Sequence, residues 1–245
     1  MATTISKDDI IRVKGLGFLL NKGTDCFNGR VITRNGKITS KQMICIAEAA
    51  EKFGNGEVAF TTRLTVEIRG VHYDNIEPLQ EFLAKEGLTT GGTGAKVRPV
   101  VSCKGTTCQF GTCDTFGLSE KIHERFYVGY HEVKLPHKFK IAVGGCLHNC
   151  VKPDLNDLGI IGTRVRTEDG VVVSGYKVCI GGRWGKKTAQ GQPLSKIFTS
   201  EEEVLDVIEK AILFFKEYGK EKERFADTIA RIGFEETQRK ILGES

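Results

Sequence analysis

Apolar and polar positions in the first third of the chain alternate, take up a helical period and then alternate again. The order between Phe27 and Leu88 is strand, helix, strand, strand, helix. The transitions carry their own chemistry. "GRVITR" alternates as a half-buried strand does and runs into the turn pair Asn35 and Gly36. Thr39 stands where a helix cap belongs, Gln42 completes a capping box, and Gly54 closes the helix carried by "MICIAEAAEKF". "EVAFTT" and "LTVEIRG" read as strands. Asp74 with Glu77 predicts a second capping box ahead of "IEPLQEFLAKE", with Gly87 as the stop.

That order predicts a small α+β module of the ferredoxin-like kind over residues 1–90. The glycine-rich stretch "TTGGTG" then predicts either a flexible linker or a backbone that approaches a large ligand closely. Residues 91–245 predict a second α+β domain. Its elements are a helix near Leu118 to Tyr127, a strand "KFKIAVGG", and the strands "LGIIGTRVR" and "GVVVSGYKVCIGG". A helical tail follows, in which Ser200 and Glu203 cap a helix whose Val204, Leu205, Ile208, Ile212 and Phe215 recur at core spacing.

Composition narrows the class. An apolar content of 40% over 245 residues is enough for a sizeable core. The longest apolar patches, Leu16 to Leu20 and Ala211 to Phe215, fall far short of a membrane span, so a cytoplasmic location is expected. The formal net charge is +5, yet no run of lysine and arginine exceeds three residues and no nucleic-acid motif accompanies them. A polyanionic small molecule is the better partner.

Four of the eight cysteines form two short clips, Cys103 and Cys108 in "CKGTTC" and Cys146 and Cys150 in "GGCLHNC". Clustering of this kind favours metal over disulfides in a chain that needs no staples. Four thiolates suit one 4Fe-4S cubane. A locally helical "CLHNC" would send both its sulfurs from one face. A structural zinc or four free thiols are the alternatives, although zinc pairs more often have a two-residue gap. Cys113 competes as a ligand. Cys26, Cys45 and Cys179 read as isolated small hydrophobes. Lys138 and Lys140, alternating with Phe139 in "LPHKFK", would share one face of a strand and suggest an anion nearby.

The segments "TTRLTVEIRG", "RPVVSCKGTTCQFGTCDT", "LPHKFK", "GGCLHNCVKPDLNDLGIIG" and the "GGR" at Arg183 together resemble the siroheme and 4Fe-4S nitrite/sulfite reductase family. The likeness spans most of the chain, as a single copy of a unit that larger members carry twice. It implies cluster ligands Cys103, Cys108, Cys146 and Cys150, with Cys150 shared with the siroheme iron. The family has five residues inside the first clip and this chain has four, Lys104 to Thr107. The likeness also implies that Arg30, Arg63, Lys138 and Lys140 bind the oxyanion substrate. Siroheme carries eight carboxylates, for which Lys96, Arg98, Lys152 and Arg183 are candidate partners, and Asn149 is expected to orient the clip. His148 is a candidate proton donor.

The implied activity is six-electron reduction of sulfite or nitrite, with sulfite favoured. No dinucleotide fingerprint is present, so an external ferredoxin or flavoprotein is expected as donor. A single-repeat chain is expected to pair as a homodimer or higher even oligomer, in which the cations of one subunit could serve the cluster of the other. Two other readings stay open here: an electron-transfer or redox-sensing protein without siroheme, and a tetrapyrrole-binding protein without reductase activity.

Overall fold

The computed structural model describes residues 5–244. The chain divides into two compact units, one ending at Gly94 and the other beginning at Ala95.

The first unit opens with helix α1 (Lys7–Gly15), capped by Ser6 and Asp9, which the hydrophobic pattern does not announce because Val13 is its one buried residue. Strands β1 (Phe18–Leu20) and β2 (Cys26–Ile32) follow. Next come helix α2 (Ser40–Phe53), strands β3 (Val58–Phe60) and β4 (Val66–His72), helix α3 (Ile76–Ala84) and strand β5 (Thr89–Thr90). The sheet order is β1-β2-β4-β3, with β5 pairing β2 at Val31 and Ile32. Taken from β2 onward this is the ferredoxin-like succession βαββαβ with antiparallel pairing throughout. Asn35 and Gly36 both adopt left-handed φ, 62° and 74°, in the tight turn after β2. The Thr39 and Gln42 capping box forms as expected. Phe18, Phe27, Ile46, Ile68, Leu79 and Leu83, all fully buried, make the core between sheet and helices.

One expectation is corrected here, and one of two open alternatives is closed. Asp74 does not cap α3: a single 3-10 turn, Tyr73–Asn75, intervenes, Asn75 becomes the cap residue and no side-chain cap bond forms. The stretch "TTGGTG" does not act as a free linker either. Thr89 and Thr90 are strand β5, the Gly91 N–H donates to the Arg30 carbonyl, and the buried Thr93 hydroxyl donates to the Lys14 carbonyl.

The second unit is built on a mixed sheet of order β10-β9-β8-β7-β6. Its strands are β6 (Val101–Ser102), β7 (Ile141–Gly144), β8 (Leu158–Arg166), β9 (Val172–Ile180) and β10 (Gln192–Phe198). β6, β7 and β8 run parallel, while β9 and β10 are antiparallel additions. Helix α4 (Thr115–Ile122) starts earlier than the pattern indicates because Asp114 caps it by accepting from the Gly117 N–H, and a π-helical turn, His123–Val128, continues it. The expected strand "KFKIAVGG" is regular only from Ile141, and Phe139 makes an isolated bridge to Val97. Helices α5 (Glu201–Tyr218), α6 (Phe225–Ile232) and α7 (Phe234–Leu242) follow. The Ser200 and Glu203 capping box forms, and all five expected core residues of α5 are buried. Phe139, Phe215 and Phe225 stack with centroids 5.2 to 5.9 Å apart, and burying each contributes about 1.5–3 kcal/mol.

Candidate functional site

Parallel pairing brings the two clips together. Ser102 of β6 lies opposite Val143 of β7, so Cys103 and the pair Gly145 and Cys146 leave their strands at the same, C-terminal edge. In parallel sheets that edge is where ligands bind. The Gly145 N–H donates to Cys103 Sγ at 3.2 Å. A methyl group on Gly145 would stand 2.7 Å from Gly105 Cα, so the clips touch backbone to backbone and only glycine fits. Thr115 Oγ1 donates to the Cys103 carbonyl at 2.8 Å, which ties the start of α4 to the first clip.

Cys113 belongs to the same neighbourhood. Thr112 donates from both its N–H and its hydroxyl to the Gly145 carbonyl, at 2.8 and 3.0 Å. Burial pushes the Cys113 thiol up to about 12, and the charges of Cys103 and, more weakly, Cys146 push the same way. Cys113 is therefore close enough to Cys103 and Cys146 to feel both sulfurs. Cys108 is half-buried at the end of a 3-10 turn, Gly105–Thr107, and Cys150 is exposed. Among the described residues these thiols do not converge to the 4.8 Å that ligands of one ion span. A cubane, whose irons occupy separate corners, holds its thiolates farther apart than a single zinc does.

The second clip has unusual backbone. Asn149 and Lys152 both lie in the left-handed region, with φ of 56° and 49°. Such conformations persist where surroundings enforce them and gather at functional sites. Asn149 Nδ2 donates to Asp154 Oδ1 at 2.9 Å, while its Oδ1 is buried with no hydrogen-bond partner. Lys152 is exposed beside it. Leu147 and Phe110 are 71% and 56% exposed next to the sulfurs, and Phe110 stacks on His148 at 5.1 Å. Cys146 Sγ lies 3.4 Å from His148 Nδ1. An uncovered apolar surface beside free thiols and a lysine fits a flat, carboxylate-bearing macrocycle joined to a soft-metal cluster.

Cations gather at the other edge of the sheet. Burial lowers the Lys138 ammonium below its ordinary value, and so do the charges of Arg224, Arg98 and Arg183 around it. Burial likewise lowers His137, with Lys138 and the same arginines adding to the effect, and its Nδ1 accepts from the Lys138 N–H. The Arg98 N–H donates to the Phe139 carbonyl, and the Lys96 carbonyl accepts from the Phe139 N–H. Arg183 grips Asp227 at 2.7 and 2.8 Å. Lys140 is fixed through its N–H, which donates to Asp157 Oδ2 at 2.9 Å, and Asp157 in turn receives two bonds from Arg224 at 2.9 and 3.0 Å. Asp157 and Arg224, both buried, carry no motif that singles them out from the sequence.

Arg30 and Arg63 lie in the first unit. Arg30 on β2 is held by its cross-strand partner Glu67 at 2.6 Å and donates to the Gly92 carbonyl. Arg63 sits in the turn between β3 and β4, its N–H donating to Thr61 Oγ1.

Comparison with known proteins closes the family question. Residues 93–245 match the model of the nitrite and sulphite reductase 4Fe-4S domain, and residues 20–86 that of the nitrite/sulfite reductase ferredoxin-like half domain. The chain belongs to the nitrite and sulfite reductase family, in single-repeat form. The family is one of oxidoreductases, and its cofactors are a 4Fe-4S cluster and siroheme. The chain is 27% identical to MJ0551 of Methanocaldococcus jannaschii, an uncharacterized protein, over 92% of this chain and 94% of that one. It is 30% identical to a nitrite reductase [NAD(P)H] of Emericella nidulans over 74% of this chain but 15% of that one. With the coenzyme F420-dependent sulfite reductase of M. jannaschii it shares 26% identity over 77% of this chain and 38% of that one. The chain thus spans less than half the length of these two reductases. The solved structure of Mycobacterium tuberculosis NirA superposes with a TM-score of 0.83 over 98% of this chain and 47% of that one, at 20% identity. Dissimilatory sulfite reductase I gives 0.78 over 89% and 69%, at 18%. At those identities the likeness speaks for the fold.

Proposed function

We propose that this chain reduces a small oxyanion, sulfite in preference to nitrite, with electrons from an external ferredoxin or flavoprotein. Cys103, Cys108, Cys146 and Cys150 would hold the 4Fe-4S cluster, and the exposed Cys150 is the one placed to be shared with siroheme. When bound, that pair would relay the donor's electrons and supply a redox-active iron for the reduction. The chain's own residues do the rest. Lys138 and Lys140 bind the anion and donate protons to the departing oxygens, Lys138 the more readily because burial and then Arg224, Arg98 and Arg183 loosen its hold on its proton. Glu67 already claims Arg30, so Arg30 acts here by shaping β2 and β4.

The observation that carries this reading is the meeting of the two cysteine clips at one edge of β6 and β7. The cations stand elsewhere: Lys140 immediately precedes β7 and Cys146 follows it, with four strand residues, about 13 Å, between. That separation favours a homodimer in which Lys138 and Lys140 of one subunit serve the cluster of its partner. Each half-site is then incomplete alone. Mixing Cys150→Ser chains with Lys138→Ala chains tests the arrangement. Each variant alone is expected to be inactive with dithionite-reduced dye and sulfite, while the heterodimer regains activity at one of its two sites. No recovery in a verified heterodimer defeats the shared site, and an absorption spectrum lacking tetrapyrrole bands at full iron loading defeats the reductase reading itself.

A further inference from the structure

Cys26 is not the isolated small hydrophobe that its sequence context suggests. It is half-exposed at the first position of β2 and lies opposite His72, the last position of β4. On the inner face the next pair, Phe27 and Val71, is fully buried, so the alternation of the sheet turns Cys26 and His72 outward together. Asp25 precedes Cys26 in a turn closed by the Asn21 N–H donating to the Cys26 carbonyl and by the Cys26 N–H donating to Thr24 Oγ1. Among the described residues, Asp25, Cys26 and His72 are the one group of three metal-ligating side chains that converges within 4.8 Å.

The spacing is that of a coordination sphere. Cys26 Sγ lies 3.6 Å from His72 Nδ1 and 3.7 Å from Asp25 Oδ1. For a tetrahedral zinc with bonds of about 2.3 Å to sulfur and about 2.0–2.2 Å to nitrogen and oxygen, ligand atoms stand about 3.5 Å apart. The thiol also makes sulfur hydrogen-bond contacts, to His72 Nδ1 at 3.6 Å, to His72 Nε2 at 3.9 Å and to Asp25 Oδ1 at 3.7 Å, and it is the convergence of three different ligand types on one point that sets the group apart. We propose that Asp25, Cys26 and His72 form a binding site for a borderline-soft divalent cation, Zn²⁺ by its donor set, separate from the cysteine clips. Three protein ligands leave a fourth position for water. Sulfur and imidazole exclude magnesium and calcium, which take oxygen ligands. Binding releases the thiol proton to solvent and involves no change of oxidation state. The ion would clasp the open ends of β2 and β4.

The test uses full-length, cluster-loaded protein under inert gas, titrated with Zn²⁺ against a chromophoric chelator while iron content is followed. One Zn²⁺ per chain is expected beyond the iron, with one sulfur at about 2.3 Å in zinc-edge absorption. Cys26→Ser and His72→Ala should each weaken binding at least ~10–100-fold, the loss seen even when an outer partner of a metal ligand is removed. Cys45→Ser, a buried cysteine of α2, should bind as the parent does, and iron content should stay constant throughout. Failure to retain zinc, undiminished binding in both ligand variants, or an absorption spectrum without sulfur would overturn the site. None of these outcomes bears on the reductase reading, which rests on the other unit.

Discussion

Arg224→Ala should destabilise the second unit by about 3–5 kcal/mol, because it strands a carboxylate in the interior. Asp157 has no exposed surface, and the lost guanidinium supplies two of its bonds, leaving it the Lys140 N–H, a neutral donor. Desolvating a carboxylate is tolerable here only while the counter-charge stays 2.9 Å away. For a chain of this size each kcal/mol shifts the melting temperature by about 2–4 °C, so a loss of roughly 6–20 °C is expected. Urea unfolding followed at Trp184, the chain's single tryptophan and a residue of this unit, gives the free energy provided the slope with denaturant is unchanged. The double variant Asp157→Asn with Arg224→Met removes both charges and keeps an acceptor for Lys140, and it should recover more than half the loss. An Arg224→Ala cost below about 1 kcal/mol, or a double variant no better than the single, would show that the pair is not what fixes this corner of the fold.

Gly162→Ala would push a methyl to 2.6 Å from Thr112 Oγ1 and 2.8 Å from Cys113 Sγ, so iron incorporation should fall several-fold while the ellipticity of the chain is retained. Removing the α5 cap by Ser200→Ala should cost ~1 kcal/mol, read by the same urea assay. His137, lowered by burial and by the cations around it, resists protonation when folded but not when unfolded. Stability should therefore drop as pH falls below the ordinary value of 6.5, and His137→Gln should flatten that slope.

What the sequence discloses is what short-range chemistry decides. The caps of α2 and α5 lie within three residues of their partners, and both form as written. The Asp74 and Glu77 box has the same spelling and fails, because a 3-10 turn moves the first helical residue to Ile76. β10 has no legible period: it begins beside Pro193, its register shifts before Ile197, and only Leu194 and Phe198 turn inward. The cysteine clips are visible because their ligands sit four or five residues apart. Asp157 and Arg224 are invisible for the opposite reason, since 67 residues separate two charges that are ordinary until the fold buries them. Cys26 and His72, 46 residues apart, meet only through strand register.

The two edges of the second unit set opposite electrostatic demands. At the clip edge burial raises the Cys113 thiol and Cys103 Sγ accepts from the Gly145 N–H, a neighbourhood that improves when positive metal replaces thiol protons. At the other edge Lys138 and His137 are lowered by burial and then by neighbours of like sign, with Asp157 and Asp227 already committed to Arg224 and Arg183. A fold gains nothing by concentrating cations there, since each lowers the next one's affinity for its proton. The concentration is relieved when an anion arrives, and the relief strengthens the grip on the anion in proportion to the repulsion it removes. Affinity for sulfite should therefore weaken steeply with ionic strength, and the salt-sensitive part of it, though not the whole, should survive loss of the cluster in Cys150→Ser protein, because the two edges are held by different residues on either end of β7.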